Sequence, residues 1–268
     1  LIKALIGKSY RSLGRYEEAI SWLVEAERAH PEETEIQIQL AMSRLALGRY
    51  SQGFRDYRIR WKTGELTPRE MPKPEWQGET LSGKRILVLP EQGFGDGIAF
   101  SRFLPALRRF EPEKVLLHCE RPVACLYEGI DGADWTGTQM PPAEDFDVWV
   151  NLIDLAIPHF EQSEEVPPPA KLGVPRESRD RARSIIRHHV DRFRVGVVWT
   201  GSMTYRNNGF RSFDHTEFHR LLDIEGLQLF SLYKGEAIEA FRADGSSIPI
   251  IDLGSHDRHF GDCAANML

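Results

Sequence analysis

The sequence predicts a short array of paired helices followed by two Rossmann-like α/β units, of which the second is incomplete. Three observations carry this prediction. The motif LGRY occurs at 13–16 and again at 47–50, an offset of 34 residues. From residue 84 onward, short apolar runs alternate with helical patterns, which is typical of a parallel sheet in an α/β fold. The last unit contains only three such runs within the 268 residues.

The offset of 34 residues is the period of the tetratricopeptide repeat, and it assigns residues 1–66 to such repeats. The small, aromatic and proline positions of the first copy are filled in order by Gly7, Tyr10, Gly14, Tyr16, Ala19, Leu23, Ala26 and Pro31. In the second copy, Arg60 and Glu65 replace the small residue and the proline, so its last helix is expected to end the array and to pack on something else. Since two repeats are fewer than independent stability needs, we expect both upstream repeats and support from the next domain.

Four aromatic residues of the array are interpreted as packing between helices, with a peptide groove as the alternative: Tyr16, Tyr50, Tyr57 and Trp61.

The net charge of −6 argues against general binding of nucleic acid, although a basic run at 49–62 leaves a weak exception. No apolar stretch approaches the length of a transmembrane helix. Three cysteines without a C-x-x-C motif indicate neither disulfides nor a cysteine zinc site, which favours a cytoplasmic location.

Proline-rich and glycine-rich stretches divide the remainder of the chain. Residues 67–83 are predicted to be a linker, because 64–83 holds three prolines and three glycines and shows no helical or strand period. Residues 84–175 form the first unit, with strands predicted at 84–89, 114–119 and 146–150. Residues 176–268 form the second, with strands at 194–199, 227–233 and 248–253. A cleft between the two units is expected.

The segment EQGFGDG (91–97) places a glycine loop between the first strand and a helix, where α/β proteins bind ligands and where helix N–H groups favour anions. It is not the dinucleotide fingerprint, because Ile98 stands where the third glycine is needed, and no Gly-Lys-Ser/Thr of a P-loop follows. Asp96 has a structural explanation as a helix cap. Its flanking glycines also favour a ligand site, since they remove side chains where a ligand could approach.

Several motifs resemble one family in the order of the chain. The run EQGFGDGIAFSRFLPAL resembles the EQG-x-GD…F-x-R-x-L segment of bacterial tetratricopeptide-repeat glycosyltransferases, relatives of ADP-heptose heptosyltransferases and, more distantly, of O-GlcNAc transferase. YRIRW (57–61) and PEWQG (74–78) resemble the family's Y-x-x-R-W and P-x-W-x-G motifs. GVVWTGS…RNNGFRSF (196–213) resembles its G-x-x-W-x-G…RS segment, SLYKGEA (231–237) is a looser match, and GDCAANML (261–268) has Cys263 in a threonine position.

The resemblance implies a GT-B type glycosyltransferase, in which the first unit receives the acceptor and the second holds a nucleotide sugar. It implies that Asp96 is the general base and that neither a metal nor a cofactor takes part. Arg211, with Arg206 as a second candidate, would stabilise the leaving diphosphate. The alternative is that both arginines belong to a solvated loop and pair with Asp214. The other candidate substrate-binding residues are Gln92, Gly93, Gly95, Thr200, Gly201 and Ser202.

Two further interpretations concern side chains near these motifs. Trp199 is assigned to the core rather than to stacking on a base. His215 with His219, and His256 with His259, have spacings that suit a metal, but no third ligand is placed by spacing, so no metal site is predicted.

The family pattern continues beyond residue 268 into a D-T-x-x-x-H segment, so residues 1–268 alone are expected to have weak activity or none. The predicted partners are a nucleotide sugar and a protein or glycan acceptor recruited by the repeats. The alternative function is a tetratricopeptide-repeat module that binds a protein partner through its repeats while its glycosyltransferase-like domain is vestigial. Donor binding by the full reading frame would distinguish the two.

Overall fold

The computed structural model describes residues 1–91, 93–203 and 208–268. The chain divides into two compact units. The first unit contains residues 1–121 and 129–171, and the second contains residues 122–128 and 172–268. The sequence places a domain boundary after the helical array, whereas the structure includes that array and the first sheet in the same unit.

Four helices open the first unit, and each packs against the next: α1 (Ile2–Ser12), α2 (Tyr16–Ala29), α3 (Thr34–Ala46) and α4 (Tyr50–Tyr57). Gly14 and Gly48, the glycines of the two LGRY motifs, have φ angles of 74° and 75°, so the sequence repeat is also a repeat of backbone geometry. A Cβ on Gly7 would lie 2.6 Å from Leu23 Cγ, because α1 and α2 approach closely there. The assignment of these helices to the tetratricopeptide class stays a prediction.

The far side of α4 packs on the α/β part of the first unit, as the pattern of its last helix predicts. Phe54 stacks on Phe160 with ring centroids 5.6 Å apart, and it meets the ring of Phe100 edge-on at 5.7 Å. Tyr50 adds a contact with Phe160 at 4.7 Å. This aromatic cluster is one physical reason why the helical array and the first sheet form one compact unit.

The first sheet is parallel, with strand order β3-β2-β1-β4. Its strands are β1 (Arg85–Leu89), β2 (Lys114–His118), β3 (Trp135–Gly137) and β4 (Val148–Asn151). Helix α5 (Phe94–Phe100) and a 3₁₀ helix (Ser101–Phe110) follow β1, and α6 (Ala156–Phe160) follows β4. The sequence predicts a glycine loop over 91–97 before this helix, but α5 begins at Phe94 and includes Asp96 in its first turn. Strand β3 was not predicted from the sequence, because it has only three half-buried residues.

The segment 67–83, assigned to a linker from its composition, packs against the edge of this sheet. The Trp76 amide donates to the Trp149 carbonyl at 2.7 Å, and the Trp149 indole donates to the Lys73 carbonyl at 2.9 Å. Trp76 and Leu81 are buried. Prolines suit this position because an edge segment needs few backbone donors.

The second unit contains a parallel sheet of order β5-β6-β7, with β5 (Phe193–Val197), β6 (Leu227–Ser231) and β7 (Ile250–Asp252). Its α-helices are α7 (Arg176–Ile186), α8 (Ile238–Ala243) and α9 (Phe260–Asn266), and 3₁₀ helices cover Asn208–Arg211 and His215–Leu221. Within the described ranges, no helix is both long and apolar enough to cross a membrane.

Candidate functional site

The glycine loop after β1 is the first part of the candidate site. One carboxylate oxygen of Asp96 accepts the Gly93 N–H at 3.2 Å, so Asp96 does cap α5. No second hydrogen bond to this half-buried carboxylate is found among the described residues. A Cβ on Gly95 would meet no atom within 4 Å, so the loop surface is open there. The predicted residue Gln92 lies outside the described residues.

A buried ion cluster holds the start of this loop. The Arg60 guanidinium donates to both carboxylate oxygens of Glu91, at 3.0 and 2.6 Å, and to Asp154 at 2.8 Å. Arg60 is only 3% exposed, and its guanidinium lies over the rings of Tyr57 and Trp61 at 5.0 and 5.3 Å. Burial raises the pKa of Glu91, and the Arg60 cation opposes that rise. The end of the helical array therefore fixes Glu91, the first residue of the glycine loop.

The sequence singles out Arg60 and Glu91 in separate motifs, and the ion pair between them was not predicted. In the sequence, Arg60 is a departure from the small residue of the repeat, and Glu91 is part of the EQG motif. The available signal was a cation at a position that should face a helix neighbour, together with a carboxylate at the end of a buried strand. Buried charges of opposite sign usually pair, and that rule connects the two residues.

A polar network after β5 forms the second part of the candidate site. Asn208 is buried; its amide donates to Thr200 Oγ1 at 2.9 Å, and its carbonyl oxygen accepts the Gly201 N–H at 3.1 Å. Thr200 Oγ1 also bonds Ser212 Oγ at 2.8 Å. The Gly201 amide, one of the groups predicted to hold phosphate, is thus already bound within the protein. Sequence reasoning missed Asn208 and Ser212, although both lie inside the RNNGFRS segment.

Arg211 lies directly over Gly201. A Cβ on Gly201 would be 2.7 Å from Arg211 Nη2, so a larger residue at 201 would displace the guanidinium. Arg211 Nε also approaches Asn208 Oδ1 at 3.4 Å. The Asp214 carboxylate accepts from the Thr216 amide and hydroxyl, at 2.9 and 2.6 Å, and caps the 3₁₀ helix that follows. Arg206, the second predicted cation, lies outside the described residues.

A pocket of about 700 Å³ opens in the second unit, at the carboxyl ends of β5 and β6. Its lining includes the predicted residues Thr200, Gly201 and Ser202. The loop after β6 and the segment after β7 supply further lining residues: Tyr233, Lys234, Gly235, Glu236, Asp257, Arg258, His259 and Cys263. Three of the motifs that carried the resemblance therefore meet at one pocket.

Trp199 belongs to the core behind this pocket, as predicted. It is 3% exposed, and its ring lies 4.7 Å from that of Tyr233 and 5.1 Å from that of Phe241. Because the Trp199 ring is buried, it is not open for stacking on a ligand.

Of the two histidine pairs, His215 and His219 each have a polar partner within the protein. His215 Nε2 lies 2.6 Å from an Asp244 carboxylate oxygen, and His219 Nε2 lies 2.8 Å from the Ser246 hydroxyl. In the part of the chain that the structure describes, no group of three or more histidine, cysteine, aspartate or glutamate residues is arranged to hold a metal ion.

Asp257 is a buried carboxylate on the wall of the pocket. Its Oδ1 accepts from the Asn266 amide at 2.8 Å, and its backbone carbonyl accepts from Lys234 Nζ. Burial, reinforced by the charge of Asp262, raises the pKa of Asp257 from 3.8 to about 6. The folded protein therefore binds this proton more tightly than the unfolded chain does. The cost of charging Asp257 is absent below about pH 4, grows between pH 4 and 6, and is complete above that range.

We accordingly expect Asp257→Asn to raise the free energy of unfolding by about 1–3 kcal/mol at pH 7, and by much less near pH 4. The substitution keeps an oxygen for Asn266 and removes the buried charge. Urea unfolding at both pH values measures the difference, with Asp191→Asn, an exposed position of the same unit, as the control. An equal change at both pH values would contradict the shifted pKa.

Comparison with known proteins supports the fold. The chain resembles the crystal structure of a glycosyl transferase family 9 protein from Veillonella parvula, with a TM-score of 0.56 and 14% sequence identity. The alignment covers 71% of this chain and 75% of that one. The α/β fold with parallel sheets is therefore like that of glycosyltransferase family 9, and a likeness at this identity concerns the fold alone.

One curated protein is similar in sequence over a shorter stretch. Protein FlbA of Caulobacter vibrioides is 38% identical over 88 residues, which is 31% of this chain. The match spans 15% of the length of the Caulobacter protein. No family model matches the sequence.

Proposed function

We propose that this chain is part of a glycosyltransferase that moves a sugar from a nucleotide-sugar donor to an acceptor hydroxyl, with Asp96 as the general base. The observation that carries the proposal is the position of Asp96. Its carboxylate lies in the first turn of α5, directly after the carboxyl end of β1 and beside the open position of Gly95, in a fold like that of glycosyltransferase family 9.

In the proposed reaction, the Asp96 carboxylate removes the proton of the acceptor hydroxyl while the hydroxyl oxygen attacks the anomeric carbon of the donor sugar. A new carbon–oxygen bond forms there, and the bond to the nucleoside diphosphate breaks with its electron pair on the phosphate oxygen. The hydrogen bond from Gly93 engages one carboxylate oxygen and orients the group. The other oxygen is the proposed proton acceptor.

The donor is proposed to occupy the pocket of the second unit. Its diphosphate needs cations or N–H donors as negative charge develops. Arg211 is the proposed cation, oriented through Asn208 and the bare face of Gly201, and Lys234 on the pocket wall is a second. Because these side chains supply positive charge, the proposal includes no metal. The contribution of Arg206 stays a prediction.

Binding of nucleoside diphosphates tests the donor pocket. In protein expressed from the full reading frame, Arg211→Ala is expected to weaken binding of the preferred nucleoside diphosphate about 10- to 100-fold, since it removes a charge-assisted contact. Isothermal titration calorimetry with a panel of nucleoside diphosphates measures this. The control is Arg220→Ala, a surface arginine paired with Glu217. Absence of binding by every member of the panel would favour the alternative of a vestigial domain.

We further propose that the helical array is a tetratricopeptide segment that recruits the protein or glycan acceptor. The repeated turn geometry at Gly14 and Gly48 supports this class of helix pair.

We also propose a cytoplasmic location, which is consistent with three cysteines that are all free.

A further inference from the structure

Asp257 lines the donor pocket, and the proposed reaction leaves its carboxylate without a role. The residue is only 8% exposed, and its Oδ1 accepts the Asn266 amide at 2.8 Å. Its other oxygen, Oδ2, has no hydrogen-bond or ion-pair partner among the described residues. In that part of the chain, the fully buried side-chain polar atoms without a partner are Trp61 Nε1 and Ser231 Oγ. Asp257 Oδ2 therefore keeps surface that a ligand can reach.

The cations that act on Asp257 are engaged by other groups. Lys234 Nζ donates to the backbone carbonyl of Asp257 rather than to its carboxylate, and Arg181 pairs with Asp262 at 3.2 Å. Burial and the charge of Asp262 outweigh Lys234, Arg181 and the Asn266 bond, so the pKa of Asp257 stays raised, at about 6. The carboxylate is ionised at neutral pH and incompletely compensated. A hydrogen-bond donor supplied by a ligand would therefore be favoured beside it.

The two sides of the pocket differ in charge. The carboxyl ends of β5, β6 and β7 lie in register, and neighbouring strands are about 4.8 Å apart, which puts the ends of β5 and β7 about 10 Å apart. Residues 200–202 and Arg211 follow β5, whereas Asp257 follows β7. Glu236, on the loop between them, is exposed, so solvent compensates its charge. A diphosphate is attracted to the side of Arg211 and repelled by Asp257, so a neutral part of the donor lies beside Asp257.

The remaining lining suits a nucleoside better than a sugar. Four apolar side chains of the lining keep exposed surface: Pro122, Val198, Met203 and Phe260. A nucleobase presents planar apolar faces and a few polar groups at its edge, which matches an apolar lining with few polar contacts. A sugar ring instead needs polar partners for several hydroxyl groups.

We propose that Asp257 is a specificity-determining residue of the donor pocket. Its Oδ2 accepts a hydrogen bond from the nucleoside of the donor, either from an N–H group of the base or from a hydroxyl of the ribose. A nucleotide without a hydrogen-bond donor at this place would leave the buried carboxylate unpaired and would bind more weakly. This inference rests on the proposed function, because it assumes that a nucleotide occupies the pocket.

Asp257→Asn separates a hydrogen bond from an effect of charge. The asparagine oxygen can still accept the Asn266 amide, so the new NH₂ group replaces Oδ2 and turns an acceptor into a donor. We expect the affinity for the preferred nucleoside diphosphate to fall about 10-fold or more, because two donors would then face each other. Loss of a negative charge has the opposite effect on an anion. Affinity for inorganic pyrophosphate, which has no nucleoside, is therefore expected to stay the same or to rise.

Calorimetry at pH 7 on protein from the full reading frame measures both affinities. Asp191→Asn, at an exposed aspartate of the same unit, is the control and should bind both ligands as the wild type does. Urea unfolding confirms that each variant is folded. If Asp257→Asn binds the nucleoside diphosphate as tightly as the wild type or more tightly, or if it binds pyrophosphate equally weakly, this proposal is overturned while the proposed function stands. If the wild type binds no nucleoside diphosphate, both are overturned.

Nucleoside diphosphates that lack one ribose hydroxyl identify the group that bonds Asp257. If that hydroxyl is the partner, the wild type binds the deoxy ligand more weakly, and Asp257→Asn causes no further loss. If the base is the partner, Asp257→Asn weakens binding of the ribose and deoxy forms by the same factor. Either result supports the bond to Asp257.

Discussion

Asp96→Asn is expected to lower the rate of sugar transfer about 10²- to 10⁴-fold, the usual contribution of a general base. Asparagine retains a side-chain oxygen that can accept the Gly93 N–H, so the cap on α5 is kept. It cannot take a proton from the acceptor. Affinity for the nucleoside diphosphate is expected to stay unchanged, because the proposed donor pocket belongs to the second unit.

Turnover of the preferred donor by the full reading frame, in wild-type and variant protein, measures this effect. Asp145→Asn, at an exposed aspartate of the same unit, is the matched control and should keep wild-type turnover. Chemical unfolding confirms that both variants are folded. Equal turnover in Asp96→Asn and wild type would exclude Asp96 as the base, although the donor pocket could still be correct.

Arg60→Met is expected to lower the free energy of unfolding by about 3–5 kcal/mol at pH 7. The methionine would leave the carboxylates of Glu91 and Asp154 buried without the cation that now bonds both. It would also release Glu91, the first residue of the glycine loop, from its partner. The cost should shrink on acidification, because the carboxyl groups can then bind protons and become neutral.

Urea unfolding at pH 7 and pH 5 measures the effect of this substitution. Arg49→Met is the matched control, since Arg49 pairs with Glu17 on the surface, with the two side chains 47% and 63% exposed. That pair should contribute no more than about 1 kcal/mol. A cost for Arg60→Met no larger than for Arg49→Met would show that the buried cluster does not hold the loop.

The regular parts of the fold could be predicted from sequence because their signals are local. Apolar runs marked β1, β2, β4 and the three strands of the second sheet to within a few residues. The LGRY repeat marked the turns at Gly14 and Gly48. The features that could not be predicted from the sequence are contacts between distant parts of the chain. The packing of 67–83 on β4 depends on hydrogen bonds of the Trp149 backbone and indole, which composition does not encode.

In the candidate site too, residues with a local sequence signal could be predicted and long-range contacts could not. Asp96, Thr200 and Gly201 could be named as candidates because glycines and strand ends mark possible ligand loops in the sequence itself, and their roles stay predictions. Asn208 was not, because its role depends on reaching back across seven residues to the Gly201 amide. The partnership of Arg60 with Asp154 joins residues 94 positions apart, and no local pattern predicts such a pair. Contacts of that range are set by the fold.

The most direct test of the account is release of nucleoside diphosphate from a panel of nucleotide sugars by the full reading frame. We expect that at least one donor is turned over, that Arg211→Ala weakens its binding, and that Asp96→Asn abolishes most of the turnover without changing donor affinity. If no donor binds or is turned over under any condition in which the protein is folded, the assignment as a glycosyltransferase is contradicted.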